Sequence, residues 1–179
     1  MMRMIGAPQN KIGRLEKEIR VYDLLERLDI PFERIDHEPL MTMAQCNVVD
    51  EALEAIVCKN LFLCNSKKDQ YYLLMVVGDK KFRSRQVADQ IKSSRLSFAG
   101  AQEMEAYLDI TPGAVSVMGL MNDTSNKVQL LIDEDLVRYE YMGCHPCVNT
   151  SSLRIKTRDV LERFLKAVNH MPIFVHLED

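Results

Sequence analysis

Lys59 and Asn60 stand side by side in a run that is otherwise almost wholly apolar, Ala55-Ile56-Val57-Cys58-Lys59-Asn60-Leu61-Phe62-Leu63-Cys64. Its length and its Ile, Val, Leu and Phe content suit a strand covered on both faces. Side chains alternate across a strand, so Lys59 shares a face with Val57, Leu61 and Leu63, and Asn60 shares the other with Cys58 and Phe62. An ammonium among aliphatic neighbours needs an anion, a carbonyl or an open cavity, because burying it unpaired costs several kcal/mol. Two readings follow: a Lys whose stem lies along the sheet with its head in water, and a Lys that serves a ligand pocket.

Three other stretches carry chemical groups. Cys144-His145-Pro146-Cys147 has thiol–disulfide exchange spacing, but exchange needs a low-pKa thiolate at a helix N-terminus. Here Val-Asn-Thr-Ser-Ser-Leu-Arg-Ile follows, which reads as turn and strand. A zinc site would need a second ligand pair, and Cys46, Cys58, Cys64 and the remaining histidines form none. Pro112, Gly113 and Gly119 frame the small residues Ala114-Val115-Ser116-Val117-Met118, a loop whose amides could approach a ligand closely or simply turn into a buried strand. From Asp79 to Arg95, six cations (Lys80, Lys81, Arg83, Arg85, Lys92, Arg95) face two carboxylates, a local +4 in a chain of net charge −3. That segment is either a solvated helix face or a phosphate-contacting one. No phosphate-binding glycine fingerprint or P-loop is present, so nucleotide-dependent chemistry and a cofactor are not expected.

The elements that position these groups follow from periodicity. Leu15, Ile19, Tyr22, Leu25 and Leu28 predict a helix over 11–29, ended before Pro31. Strands are expected at 32–36, 55–64 and 70–77, the last two as a hairpin, then at 96–98, 128–132, 136–141 and 153–155, with 114–120 leading into another. Further helices are expected after Thr42 as its cap, from Ser84 to Ile91, over 101–108 before Thr111-Pro112-Gly113, and from a Thr157 cap to Val168. The result is a mixed α/β (α+β) fold, one domain over residues 1–179 with a largely antiparallel curved sheet surrounded by helices. With 179 residues, 47% hydrophobic and 27% charged, the chain can bury a substantial core. Its apolar runs are too short to span a bilayer, it shows no signal-peptide core, and its five scattered cysteines suit reduced thiols, so a cytoplasmic protein is expected.

In order and spacing, His37-x-Pro39 with Thr42, Lys59-Asn60-Leu61-Phe62-Leu63, Thr111-Pro112-Gly113-Ala114-Val115-Ser116 and Gly143-x-His145-Pro146-x-x-Asn149-Thr150 resemble the YbaK-like, prolyl-tRNA synthetase associated editing-domain family. The resemblance runs from about Tyr22 to Leu165. The last motif resembles the freestanding branch that clears alanine from tRNA(Pro) more than the one that clears cysteine. Val117 stands where the family pattern has proline. The resemblance implies an aminoacyl-tRNA deacylase with Lys59 as the catalytic residue. Thr42, Asn60, Gly113, Ala114, Ser116, Gly119, His145 and Asn149 would surround the substrate, with loop amides stabilising the oxyanion, and Lys80, Lys81, Arg83 and Arg85 would touch the tRNA. Met118, Val117 and Leu63 are candidate pocket walls. It implies no metal, and as partners the acceptor end of mischarged tRNA(Pro) and, as a candidate, prolyl-tRNA synthetase. A non-catalytic tRNA or amino-acid binding domain, a Cys-tRNA(Pro) deacylase and a Cys-x-x-Cys redox protein stand as alternatives.

Overall fold

The computed structural model describes residues 2–40, 43–78 and 80–178. Met4–Ile5 (β1) pairs antiparallel with Phe32–Asp36 (β2), and between them Glu16–Arg27 (α1) buries Val21, Tyr22, Leu24 and Leu25. The helix is shorter than its periodicity suggests because Lys11 to Arg14 closes as a turn with Gly13 at φ 82°, while Asp29 at φ 53° ends it. Met43–Leu53 (α2) lays Val49 and Leu53 against Ile35 of β2. Thr42, its expected cap, lies outside the described residues, as does Asp79.

The apolar run forms Ile56–Cys64 (β3), and Tyr71–Val77 (β4) returns beside it from Cys58 opposite Val77 to Cys64 opposite Tyr71. Asn65 closes this hairpin, its Oδ1 accepting the amides of Asp69 and Gln70. Alternation then sorts the side chains. Cys58, Phe62, Leu73, Met75 and Val77 enter the larger core; Leu63, Tyr72, Leu74 and Val76 enter a smaller one on the opposite face. That smaller core is roofed by Ser84–Gln90 (α3) through Val87 and Ala88, and Ser97–Phe98 (β5) pairs with the end of β3. Ser84 does not cap α3; its hydroxyl bridges to the carbonyl and amide of Leu96.

Ala101–Leu108 (α4) falls where expected. The stretch after Thr111 does not enter a strand: Val117–Asn122 forms a 3-10 turn, with the Met118 amide donating to Ser116 Oγ. Gly119 explains the packing, since a Cβ there would lie 2.5 Å from Ile110 Cδ1 and 3.1 Å from the Leu108 carbonyl oxygen. Val128–Asp133 (β6) runs parallel to β4. The strand expected at 136–141 is instead a 3-10 turn, Glu134–Arg138, begun by Asp133 accepting the Asp135 amide, and Tyr141–Cys144 (β7) starts later. Ser151–Lys156 (β8) precedes a last helix (α5) with a π-helical centre, Thr157–Asp159, Val160–Phe164 and Leu165–Ala167. Thr157 is its first residue rather than its cap, and its buried Oγ1 has no hydrogen-bond partner. Ile173–Val175 (β9) and β1 were not anticipated; both are too short to carry a pattern.

The strands join in the order β1-β2-β8-β7-β3-β4-β6-β9, with β5 on β3. Five pairings are antiparallel, and three (β3 with β7, β4 with β6, β6 with β9) are parallel. This is the expected mixed, mostly antiparallel sheet with helices around it. No described helix is long and apolar enough to cross a membrane. The tight contact at Gly119 predicts that Gly119→Ala costs about 1–3 kcal/mol of stability in urea unfolding, the scale of overpacking a filled site; an unchanged midpoint would contradict that packing.

Candidate active site

β3 is the seam of the sheet. On the edge away from β4 it pairs with β7 only at Ile56 and Val57 and with β5 only at Leu63 and Cys64. Where β3 leaves β7 a cavity of about 80 Å³ opens, lined among the described residues by Leu40, Cys46, Asp50, Leu53, Val57, Cys58, Asn60, Gly143, Cys144, His145 and Ser152. Asn60 and His145, expected at the substrate, meet here. Asn60 Nδ2 donates to the Cys58 carbonyl at 3.0 Å, which fixes the amide's orientation and leaves Oδ1 buried with no partner.

His145 is held by one nitrogen. Its Nδ1 lies 2.9 Å from the Ser151 carbonyl, an acceptor only, so the neutral ring carries its proton there and Nε2 is left as an acceptor. Burial and the neighbouring His37, whose ring centroid is 6.2 Å away, push the His145 pKa below its usual value. His37 Nδ1 donates to the Glu38 carbonyl, so its Nε2 accepts the Ser152 hydroxyl at 2.9 Å. Behind Ser151 runs a buried chain: its hydroxyl donates to Tyr22 Oη (3.1 Å), Tyr22 donates to Glu18 (2.7 Å), and Glu18 pairs with Arg14 (2.5 Å), which also holds Asp36.

The other expected residues lie elsewhere. Lys59 sits on the opposite face of β3, exposed, with Nζ 3.4 Å from the Lys80 carbonyl. Asn149 does not face the cavity; its Oδ1 accepts the Leu40 amide and its Nδ2 donates to the Leu40 carbonyl, clamping the 37–40 segment as the cavity wall. Gly113 (φ 92°) approaches that clamp, where a Cβ would be 3.5 Å from Asn149 Nδ2. Of the loop amides, those of Ala114, Met118 and Gly119 are engaged by Thr111 and Ser116. Ser116, Met118 and Val117 are fully buried in packing, as is Leu63 in the opposite core. Lys80 is not a free surface cation. Burial opposes its charge, but contacts to Asp135 (2.5 Å) and Asp133 (3.2 Å) hold its pKa above the ordinary value. Lys81, Arg83 and Arg85 are exposed, the last two with distant partners at 3.4 and 3.9 Å.

Asp50 and Cys46 were missed. A signal was present, since Cys46, Asp50 and Leu53 recur at helical spacing and form one stripe of α2 that lines the cavity. The thiol pair has no redox setting. All five cysteines are free, Cys144 ends a strand rather than beginning a helix, and burial pushes Cys58 and Cys147 up to about 12 and Cys144 higher still. Among the described residues no group of three or more His, Cys, Asp or Glu is placed to hold a metal ion.

Residues 37–163 match the aminoacyl-tRNA editing domain family. Prolyl-tRNA editing protein ProX of Acetoanaerobium sticklandii is 34% identical over 143 residues, 80% of this chain and 87% of its own. Prolyl-tRNA synthetase associated domain-containing protein 1 of Danio rerio is 27% identical over 166 residues, 92% of this chain and 88% of its own. The fold is also that of a crystal structure described as a candidate trans-editing enzyme for prolyl-tRNA synthetase, with a TM-score of 0.68 at 16% identity over 93% of this chain and 99% of that one.

The thiol environments predict an order of labelling by an alkylating reagent at pH 8. Cys46, the one cysteine that is not buried, reacts first, and Cys58, Cys144 and Cys147 react only on unfolding. Rapid modification of Cys144 or Cys147 in the folded protein, followed by mass spectrometry, would revive the redox reading.

Proposed function

The chain belongs to the aminoacyl-tRNA editing domain family, and from that premise we propose that it is a trans-editing deacylase that removes alanine from mischarged tRNA(Pro) in the cytoplasm, all of residues 1–179 serving as one editing domain. The observation that carries this reading is the small cavity at the β3 seam, lined by Asn60, whose Oδ1 is buried without a partner, and by His145, whose Nε2 has no hydrogen bond among the described residues. An unpaired buried acceptor is costly in the free protein and is satisfied by a ligand that donates to it.

The reaction is hydrolysis of an activated ester. Water adds to the acyl carbon, the bond to the ribose oxygen breaks, and that oxygen takes up a proton. Positioning can supply most of the acceleration. His145 Nε2, kept neutral, accepts a hydrogen bond from the water and orients it; the adjacent ribose hydroxyl assists. Lys59 acts from the other face of β3: its exposed ammonium binds a phosphate or ribose of the terminal adenosine while the aminoacyl group passes over the unpaired edge at Cys58–Asn60 into the cavity. Lys59 lies against the start of the basic segment, so Lys81, Arg83 and Arg85 extend the phosphate track toward the acceptor stem, with affinity falling as salt rises. A cavity of about 80 Å³ suits a small aminoacyl group. A proline-specific synthetase site cannot strongly reject alanine, since missing methylenes are worth only about 1–3 kcal/mol, so a second site selecting for small size restores fidelity.

The deciding experiment compares deacylation of alanyl-, prolyl- and cysteinyl-tRNA(Pro). Loss of alanine alone is expected, with kcat/KM at least about 10-fold lower for Lys59→Ala, the scale of a hydrogen bond to a charged group. Cysteine release in preference to alanine would reassign the substrate, and no turnover of any of the three would leave only a binding role.

The His145 environment sets a pH profile. Its neutral form is the working one and its pKa lies below 6.5, so this ring takes nothing from kcat/KM as pH falls from 8 past 6.5, and the loss from its protonation comes only in more acid solution. His145→Gln removes that acid limb; a limb at or above 6.5 in the unsubstituted protein contradicts the assignment.

A further inference from the structure

We propose that Asp50, with Asn60 Oδ1, is the receptor for the α-ammonium group of the aminoacyl ester, so that the cavity selects a free amino acid by charge as well as by size; this rests on the deacylase reading above. In an aminoacyl ester the α-nitrogen is one carbon away from the carbonyl carbon. If a water held by His145 attacks that carbonyl, the nitrogen must enter the same cavity. Free α-amino groups titrate near 8, so much of the substrate is an ammonium at neutral pH, and burying it unpaired would cost several kcal/mol.

Few groups around the cavity can receive it. Asn60 offers Oδ1 because its Nδ2 is fixed on the Cys58 carbonyl. Asp50 lines the same space from α2 and has no hydrogen bond or ion pair among the described residues. Ser152 Oγ is engaged by His37 and His145, and the thiols are weak acceptors. Desolvation raises the Asp50 pKa, as expected of a carboxyl waiting in a partly dry site for a cation. Both residues line this one small cavity.

The test compares alanyl-tRNA(Pro) with lactyl-tRNA(Pro), the same ester with a hydroxyl in place of the ammonium, each rate divided by that ester's spontaneous hydrolysis. Unsubstituted protein should prefer the alanyl ester by roughly 10- to 100-fold, the range for hydrogen bonds to a charged group. Asp50→Asn and Asn60→Leu, both close in shape to the originals, should each cut that preference about tenfold. Asp50 lies on a half-exposed face of α2, so its variant keeps the test valid should Asn60→Leu not fold. Equal use of both esters, or variants that slow both in proportion, would overturn the inference while leaving the deacylase reading intact. Failure of the unsubstituted protein to hydrolyse either ester would overturn that reading and this inference together.

Discussion

β3 must belong to two half-sheets at once, and the site exists because it cannot stay paired to both. At Val57 it runs close beside Gly143 of β7, where a Cβ would come within 3.0 Å of Val57 Cγ2. Five residues later the Phe62 carbonyl accepts the Ala99 amide on that same edge. Residues two apart in a strand present their backbone groups to the same side, so the intervening groups of Cys58 and Asn60 point to this edge, with neither β7 nor β5 opposite. Such an edge invites water or another chain. Asn60 partly closes it by donating to the Cys58 carbonyl, which leaves its own oxygen buried without a partner.

The other wall is stiffened from behind. Glu18 is buried and would be expensive there alone, but Arg14 and the Tyr22 hydroxyl both meet it, and Tyr22 stacks on Phe32 at 5.7 Å. The same tyrosine accepts from Ser151, whose carbonyl holds His145. The ring that faces the cavity is therefore tied through hydrogen bonds to a helix near the start of the chain, and a satisfied buried network of this kind favours one geometry.

Legibility followed the length of the signal. The alternation that separates Lys59 from Asn60, the hairpin, β2 and α4 were all readable because apolar patterns repeat several times within them. The capping roles of Ser84 and Thr157 were not, because a hydroxyl near a helix start is equally able to bond elsewhere, as Ser84 does with Leu96. His145 and Asn60 could be singled out by type; that they share a cavity is a product of β7 lying beside β3, a pairing between residues far apart in sequence. The same long-range packing turned the Gly113–Gly119 loop inward and locked Lys80 between Asp133 and Asp135. Asp50 showed only a short stripe on α2, with nothing in the chain to say what that stripe faced.

The strand order also dictates when the site can exist during synthesis. The half-sheet on one side of the seam combines β1 and β2 with β7 and β8, so β2 waits for its β8 partner while the middle of the chain emerges. β3 and β4 can zip up at once, yet the cavity has no second wall until His145 and Ser152 have left the ribosome and β8 has found β2. The cavity is thus completed only late in translation.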